Sequence, residues 1–128
     1  MQIRSYRDLK VWQQGMDLAG AAYQLTAAMP AAEVYGLTSQ IRRSAALVPA
    51  NIAEGYGRGS TGSYIHFLKT ARGSLLEFET HVLLAEKIGM LGIERTGPFL
   101  TGADSIGKML TALITSVRSK RLATICDP

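Results

Sequence analysis

Two runs of apolar residues spaced three and four apart, separated by a glycine-rich turn, constrain this chain more than any other feature in it. The first run falls at Leu37, Ile41, Ala45, Val48 and Ile52, and the second at Tyr64, Leu68, Ala71, Leu75, Phe78, Val82 and Ala85. Alternating steps of four and three keep one stripe on one side of a helix over many turns, which suits helices packed along most of their length. Between them stands Gly55-Tyr56-Gly57-Arg58-Gly59. The stretch from Leu37 to Ala85 therefore reads as a helical hairpin around which the remaining chain is built.

The flanking segments extend the same periodicity. Asp8 or Ser5 stands where it can cap a first helix, and Pro30, which cannot continue one, closes it after Met29. Two apolar stripes run along this helix. Leu9, Trp12, Met16, Ala19 and Tyr23 form one, and Val11, Leu18, Ala22, Leu25 and Met29 the other. Together they are wider than one packing partner needs, and Trp12 suits either a core or a subunit contact. Thr38 or Ser39 caps the second helix, and Pro49 within it predicts a kink because its ring crowds the Ala45 carbonyl. Gly55 is expected to end that helix in the left-handed conformation of a C-terminal cap.

The third helix starts from a cap within Ser60 to Ser63 and ends near Gly89. Thr96 with Pro98 looks like the start of a fourth, which continues through Phe99, Ala103, Ile106, Leu110, Leu113 and Val117. No strand pattern intervenes. The fold class is thus all-α: an antiparallel up-down-up-down four-helix bundle. It forms one domain over residues 1–128, with helices at about 8–29, 38–55, 61–89 and 97–121.

Of 128 residues, 47% are apolar and 19% charged, a balance that supports a packed core and argues against disorder. No apolar run approaches the ~20 residues that span a bilayer. MQIRSYRDLK lacks the apolar stretch of a signal peptide. The single cysteine, Cys126, has no partner for an internal disulfide, which is compatible with a reducing compartment. The expectation is a cytoplasmic protein without a membrane segment.

Catalytic and metal chemistry find little to build on. A bundle metal site draws on a Glu-x-x-His pair from each of two helices. Both histidines, His66 and His81, fall on the third helix, about 22 Å apart at 1.5 Å per residue, so they cannot share a metal within one chain. Gly55, Gly57, Gly59 and Gly62 lack the lysine and hydroxyl of a phosphate loop and follow no strand, so an interhelical turn is the reading. No nucleophile stands with a base. Glu77, Glu79 and Glu86 are better placed to pair with Arg42, Arg43 or Arg72 than to act as acid and base. We expect no enzyme and no cofactor.

The basic residues are the remaining lead. Net charge is +4. With up-down-up-down connectivity, Arg4, Arg7, Arg58, Arg118, Lys120 and Arg121 would gather at one end of the bundle, where six cations suit phosphates. The last three also complement the dipole at a helix C-terminus, and a modest positive charge serves solubility as well. Against a nucleic-acid site, no aromatic residue pairs with these cations in a stacking motif except Tyr6 and Tyr56.

The runs LTSQIRRSA, VPANIAEGYGR and FLKTARGSLLEFET, with YRDLKVWQQGMDLA ahead of them, resemble the four-helix-bundle proteins encoded in intervening sequences of bacterial large-subunit ribosomal RNA genes. The likeness is close over residues 6–90 and looser in the fourth helix. It implies a bundle that assembles into a homo-pentameric barrel, with no activity assigned to most members. The accessory variability proteins of diversity-generating retroelements are similar in fold and bind nucleic acid and a reverse transcriptase through a basic pentameric surface. Asn51, Glu54, Gly55, Gly57 and Arg58 match one family motif, and Arg72, Gly73, Ser74, Glu77 and Glu79 another. The glycines suit the turn, and the charged residues suit ion pairs within or between subunits. The turn itself, GSTGS, is smaller and less charged than the family pattern.

Two functions follow as expectations. One is a non-enzymatic, homo-oligomeric accessory protein that binds RNA or DNA; the other is a protein-interaction module whose cations only keep it soluble.

Overall fold

The computed structural model describes residues 2–126, and the side chains of residues 2–120. Four long helices account for most of it: α1 (Lys10–Thr26), α2 (Leu37–Gly57), α3 (Thr61–Lys87) and α4 (Ile93–Cys126). No strand occurs among the described residues.

The helix boundaries follow from local chemistry, and several differ from expectation. Ser5 caps a single 3-10 turn, Tyr6–Asp8, and the Asp8 carboxylate accepts the Ser5 backbone N–H in return. The extended backbone of Leu9 then lets α1 begin at Lys10. α1 unwinds after Thr26, short of Met29, because the residue before Pro30 is biased away from helical geometry. Neither Thr38 nor Ser39 caps α2. Glu33 does so instead, its Oε2 accepting the Leu37 N–H at 3.1 Å, while buried Thr38 points its hydroxyl at the Met29 sulfur. Ser60 caps α3 through the Ser63 N–H at 3.2 Å. That helix closes at Gly89, whose φ of +79° frees the Met90 N–H to reach the Ala85 carbonyl. α4 starts at Ile93, so Pro98 lies inside it rather than at its first turn. Thr96, expected at that start, is fully buried and donates to the Glu86 carboxylate on α3 at 2.7 Å.

Gly55 does not end α2 in a left-handed cap. It is buried inside the helix, and the left-handed glycine of the turn is Gly59, at φ +79°. A Cβ at Gly55 would stand 2.7 Å from the Phe67 Cβ, so this glycine is what lets α2 and α3 close on each other. α2 continues past Pro49, whose buried ring lies against Gly15 on α1, where a Cβ would stand 3.5 Å from it.

The apolar seams form one core. Ile41, Val48, Ile52, Leu68, Phe78 and Leu110 are fully enclosed. Of the two stripes on α1, the one from Val11 to Met29 joins the core, whereas Met16 and Tyr23 of the other stay exposed. Each helix packs on two others, α1 on α2, α2 on α3, α3 on α4 and α4 back on α1, so the four close a ring. Contacts along the α3–α4 seam pair Glu86 with Thr96, Phe78 with Phe99, Leu75 with Gly107 and Arg72 with Thr111. Positions thus climb along α4 as they descend along α3.

Candidate nucleic-acid interface

The α2–α3 turn brings one predicted cation together with aromatic rings. Arg58, the C-cap residue of α2, pairs with Glu54 one turn back at 2.7 Å and lays its guanidinium 4.9 Å over the Phe67 ring. Both partners of that ion pair are about half exposed, 51% and 52%, and such a pair contributes at most ~1 kcal/mol in water. It orients Arg58 without locking it away from an anion. Around it, Tyr56 and Tyr64 meet edge to face at 6.0 Å, and His66 meets Phe67 at 5.3 Å. Burial, with Tyr56 adding to it, pushes the Tyr64 phenol up to about 12, so Tyr64 remains a neutral, half-buried ring. Gly57 and Gly59 keep the adjoining backbone free of side chains.

Sequence reasoning placed Tyr56 beside Arg58. The structure instead stacks Phe67 on it and pairs Tyr56 with Tyr64. Phe67 escaped notice because it falls outside the seam of α3. The signal that would have found it is its position three residues beyond Tyr64, level with Gly55.

The other predicted cations are exposed. Arg7 lies over the Tyr6 ring at 5.7 Å, and Tyr6 meets Trp12 edge-on at 5.2 Å. The Arg4 backbone N–H donates to Asp8 at 2.9 Å. Arg118 and Lys120 are exposed on α4, and the Arg121 side chain lies outside the described residues, as does that of Cys126.

Of the charged residues expected in ion pairs, only Glu54 finds one within the described chain, with Arg58. Arg42 uses its Nε to donate to Thr26 Oγ1 at 2.8 Å and stacks 4.7 Å from the Tyr23 ring. Arg72 donates to Thr111 across the α3–α4 seam at 3.2 Å. Arg43 and Glu77 are exposed, with no ion-pair partner among the described residues. Glu79 also lacks one, and its carboxyl is held above the usual range by burial and by repulsion from Asp104. Glu86 accepts from Thr96 rather than from an arginine.

No cluster of three or more His, Cys, Asp or Glu side chains fit to hold a metal occurs among the described residues. No helix among them is long and apolar enough to cross a membrane. What the α2–α3 turn can do chemically is offer a guanidinium, several π faces and unobstructed backbone, the combination that meets phosphates and stacks bases.

The model of the 23S rRNA-intervening sequence protein family matches residues 7–112. No curated protein matches the chain. Among solved structures, a protein with unknown function from the S23 ribosomal protein family of Bacteroides thetaiotaomicron is similar, at a TM-score of 0.73 and 21% identity. The likeness covers 81% of this chain and 97% of that one, and at this identity it bears on the fold alone. Neither description carries a catalytic activity. The family match spans most of the chain and takes in all the residues that build the hairpin, so this protein belongs to the 23S rRNA-intervening sequence protein family.

Proposed function

We propose that this chain is a non-enzymatic, homo-oligomeric accessory protein of the cytoplasm that binds nucleic acid through the arginines at one end of an antiparallel four-helix bundle. The observation that carries this reading is Arg58, half exposed beside Tyr56 and Tyr64, where a surface ion pair to Glu54 and the Phe67 ring orient its guanidinium. Arg7 repeats the arrangement on Tyr6. The reversed order of contacts along α3 and α4 supports the antiparallel arrangement, which would bring Arg4, Arg7, Arg118, Lys120 and Arg121 to the same end as Arg58. A pentamer is the assembly that the family resemblance suggests, and it would multiply these cations around one rim.

The test couples light-scattering mass to fluorescence anisotropy of a labelled, structured RNA over a salt series. Affinity should fall steeply as salt rises, and Arg58→Glu should weaken binding and flatten the slope by about 1 per lost phosphate contact. A stable oligomer that ignores RNA at low salt would refute nucleic-acid binding. That result would favour the protein-interaction reading, which the exposed Leu76, Leu83 and Leu84 of α3 support.

A further inference from the structure

Toward the other end of α2 from Arg58, about 24 Å away at 1.5 Å per residue, lies a second feature of the hairpin. There the end of α1, the connection that follows it and the start of α2 surround an open pocket of about 240 Å³. The connection lines it with the apolar Met29, Pro30 and Val34, and the helices line it with Thr26, Thr38 and Arg42. Arg42 is the only charged residue among those that line it.

That guanidinium is held in place by its surroundings. Its Nε donates to Thr26 Oγ1 at 2.8 Å, and the Thr26 hydroxyl donates its own proton to the Ala22 carbonyl at 2.8 Å. The Tyr23 ring lies 4.7 Å from the guanidinium carbon and covers one of its faces. A guanidinium carries five N–H groups. One is satisfied by Thr26, and those on the two terminal nitrogens meet no carboxylate or carbonyl among the described residues. Glu33, the acidic residue of the connection, accepts the Leu37 N–H at 3.1 Å and does not line the pocket.

Thr38 supplies a second, independent observation. It is only 4% exposed, yet its hydroxyl has the Met29 sulfur, at 3.7 Å, as its partner. A thioether is a weak acceptor, so a buried donor on the pocket wall lacks the strong bond that burial ordinarily demands.

We propose that this pocket binds a small organic carboxylate. The terminal nitrogens of Arg42 hold its two oxygens, the Thr38 hydroxyl donates to one of them, and its apolar body rests on Met29, Pro30 and Val34. A guanidinium fork matches the plane and spacing of a carboxylate. One positive charge balances one negative charge, whereas a phosphate dianion would press a further charge and further oxygens against an apolar wall. Volume sets the size. A cavity of about 150 Å³ holds benzene, so one of about 240 Å³ suits a carboxylate of roughly four to seven carbons. The site shares no residue with the α2–α3 turn and stands whether or not nucleic acid binds there.

The test titrates the full-length protein with sodium benzoate and follows the Arg42 Nε–H and the Thr38 amide by heteronuclear NMR. Benzoate should bind once per chain and shift both signals. Benzamide has the same shape without the charge and should bind about tenfold more weakly or worse. Arg42→Gln should lose about tenfold in benzoate affinity, and Arg42→Lys nearly as much, because an ammonium lacks the planar fork. Arg43→Gln removes an exposed cation one residue away and should leave affinity unchanged. Thr38→Val keeps the side-chain shape and should weaken binding a few-fold. Thermal melting checks that each variant is folded, and the comparison of benzoate with benzamide needs no variant at all. Equal affinity for benzoate and benzamide, an equal loss in Arg43→Gln and Arg42→Gln, or shifts that avoid Arg42 would overturn the site. Inorganic phosphate held at Arg42 as tightly as benzoate would overturn the choice of a carboxylate, and an unaltered Thr38→Val would overturn the part given to its hydroxyl.

Discussion

Gly55→Ala should destabilise this protein, against the usual trend for glycine in a helix. Replacing a helical glycine by alanine ordinarily gains ~1 kcal/mol. Here the new Cβ would meet the Phe67 Cβ at 2.7 Å, and the Tyr64 Cδ1 and carbonyl oxygen each at 3.3 Å. Carbon atoms rest about 3.5–4.0 Å apart. The Phe67 Cβ is fixed by its backbone and cannot swing aside, so α2 and α3 must separate by about 1 Å where they pack. Forcing an extra carbon into such a contact costs typically 1–3 kcal/mol. Set against the propensity gain, the net loss approaches ~2 kcal/mol at the upper end, a fall in Tm of several degrees for a domain this size. Gly73→Ala is the matched control. Gly73 also lies in a helix, but a Cβ there meets nothing within 4 Å, so it should stabilise by ~1 kcal/mol. The assay is thermal unfolding by circular dichroism at one protein concentration, since assembly makes Tm concentration-dependent. If Gly55→Ala melts at or above Gly73→Ala, the close approach at Gly55 does not govern the hairpin.

Three further outcomes follow from the same structure. Ser60→Ala removes the acceptor for the Ser63 N–H and should lower stability by ~1 kcal/mol in denaturant titration, with Ser60→Asp restoring it. Glu79 has a folded-state pKa above its unfolded value. Its contribution is therefore full below the unfolded pKa and lost as pH rises through the folded one. At one fixed protein concentration, Glu79→Gln should flatten that fall between acid and neutral pH, and an unchanged pH profile would contradict the shift. Tyr64, pushed up to about 12, should give an ionisation step in that range of an ultraviolet alkaline titration, and Tyr64→Phe should delete that step.

Much of the architecture was legible because it is local. A helix records its buried side as a repeat, and the seams at Ile41, Val48, Phe78 and Leu110 are the residues the core encloses. A cap within Ser60 to Ser63 and the end of the third helix near Gly89 were legible for the same reason, since each depends on a few neighbouring groups. The left-handed glycine expected at Gly55 stands instead at Gly59. Pro98 misled because proline is tolerated within a helix as well as at its start, and only the backbone shows which applies.

The candidate site was legible in its cations and not in their partners. Arg58 stood out, but Phe67 stacks on it only because Gly55 lets α3 approach. Arg42 and Arg72 looked like ion-pair residues, yet the side chains opposite them across the helix seams are Thr26 and Thr111. Sequence alone determined that this chain makes four amphipathic helices around one apolar core, since periodicity and turn chemistry act over a few residues. Tertiary structure alone decided which charges stay unmatched and which rings flank them, because those depend on the register in which distant helices pack.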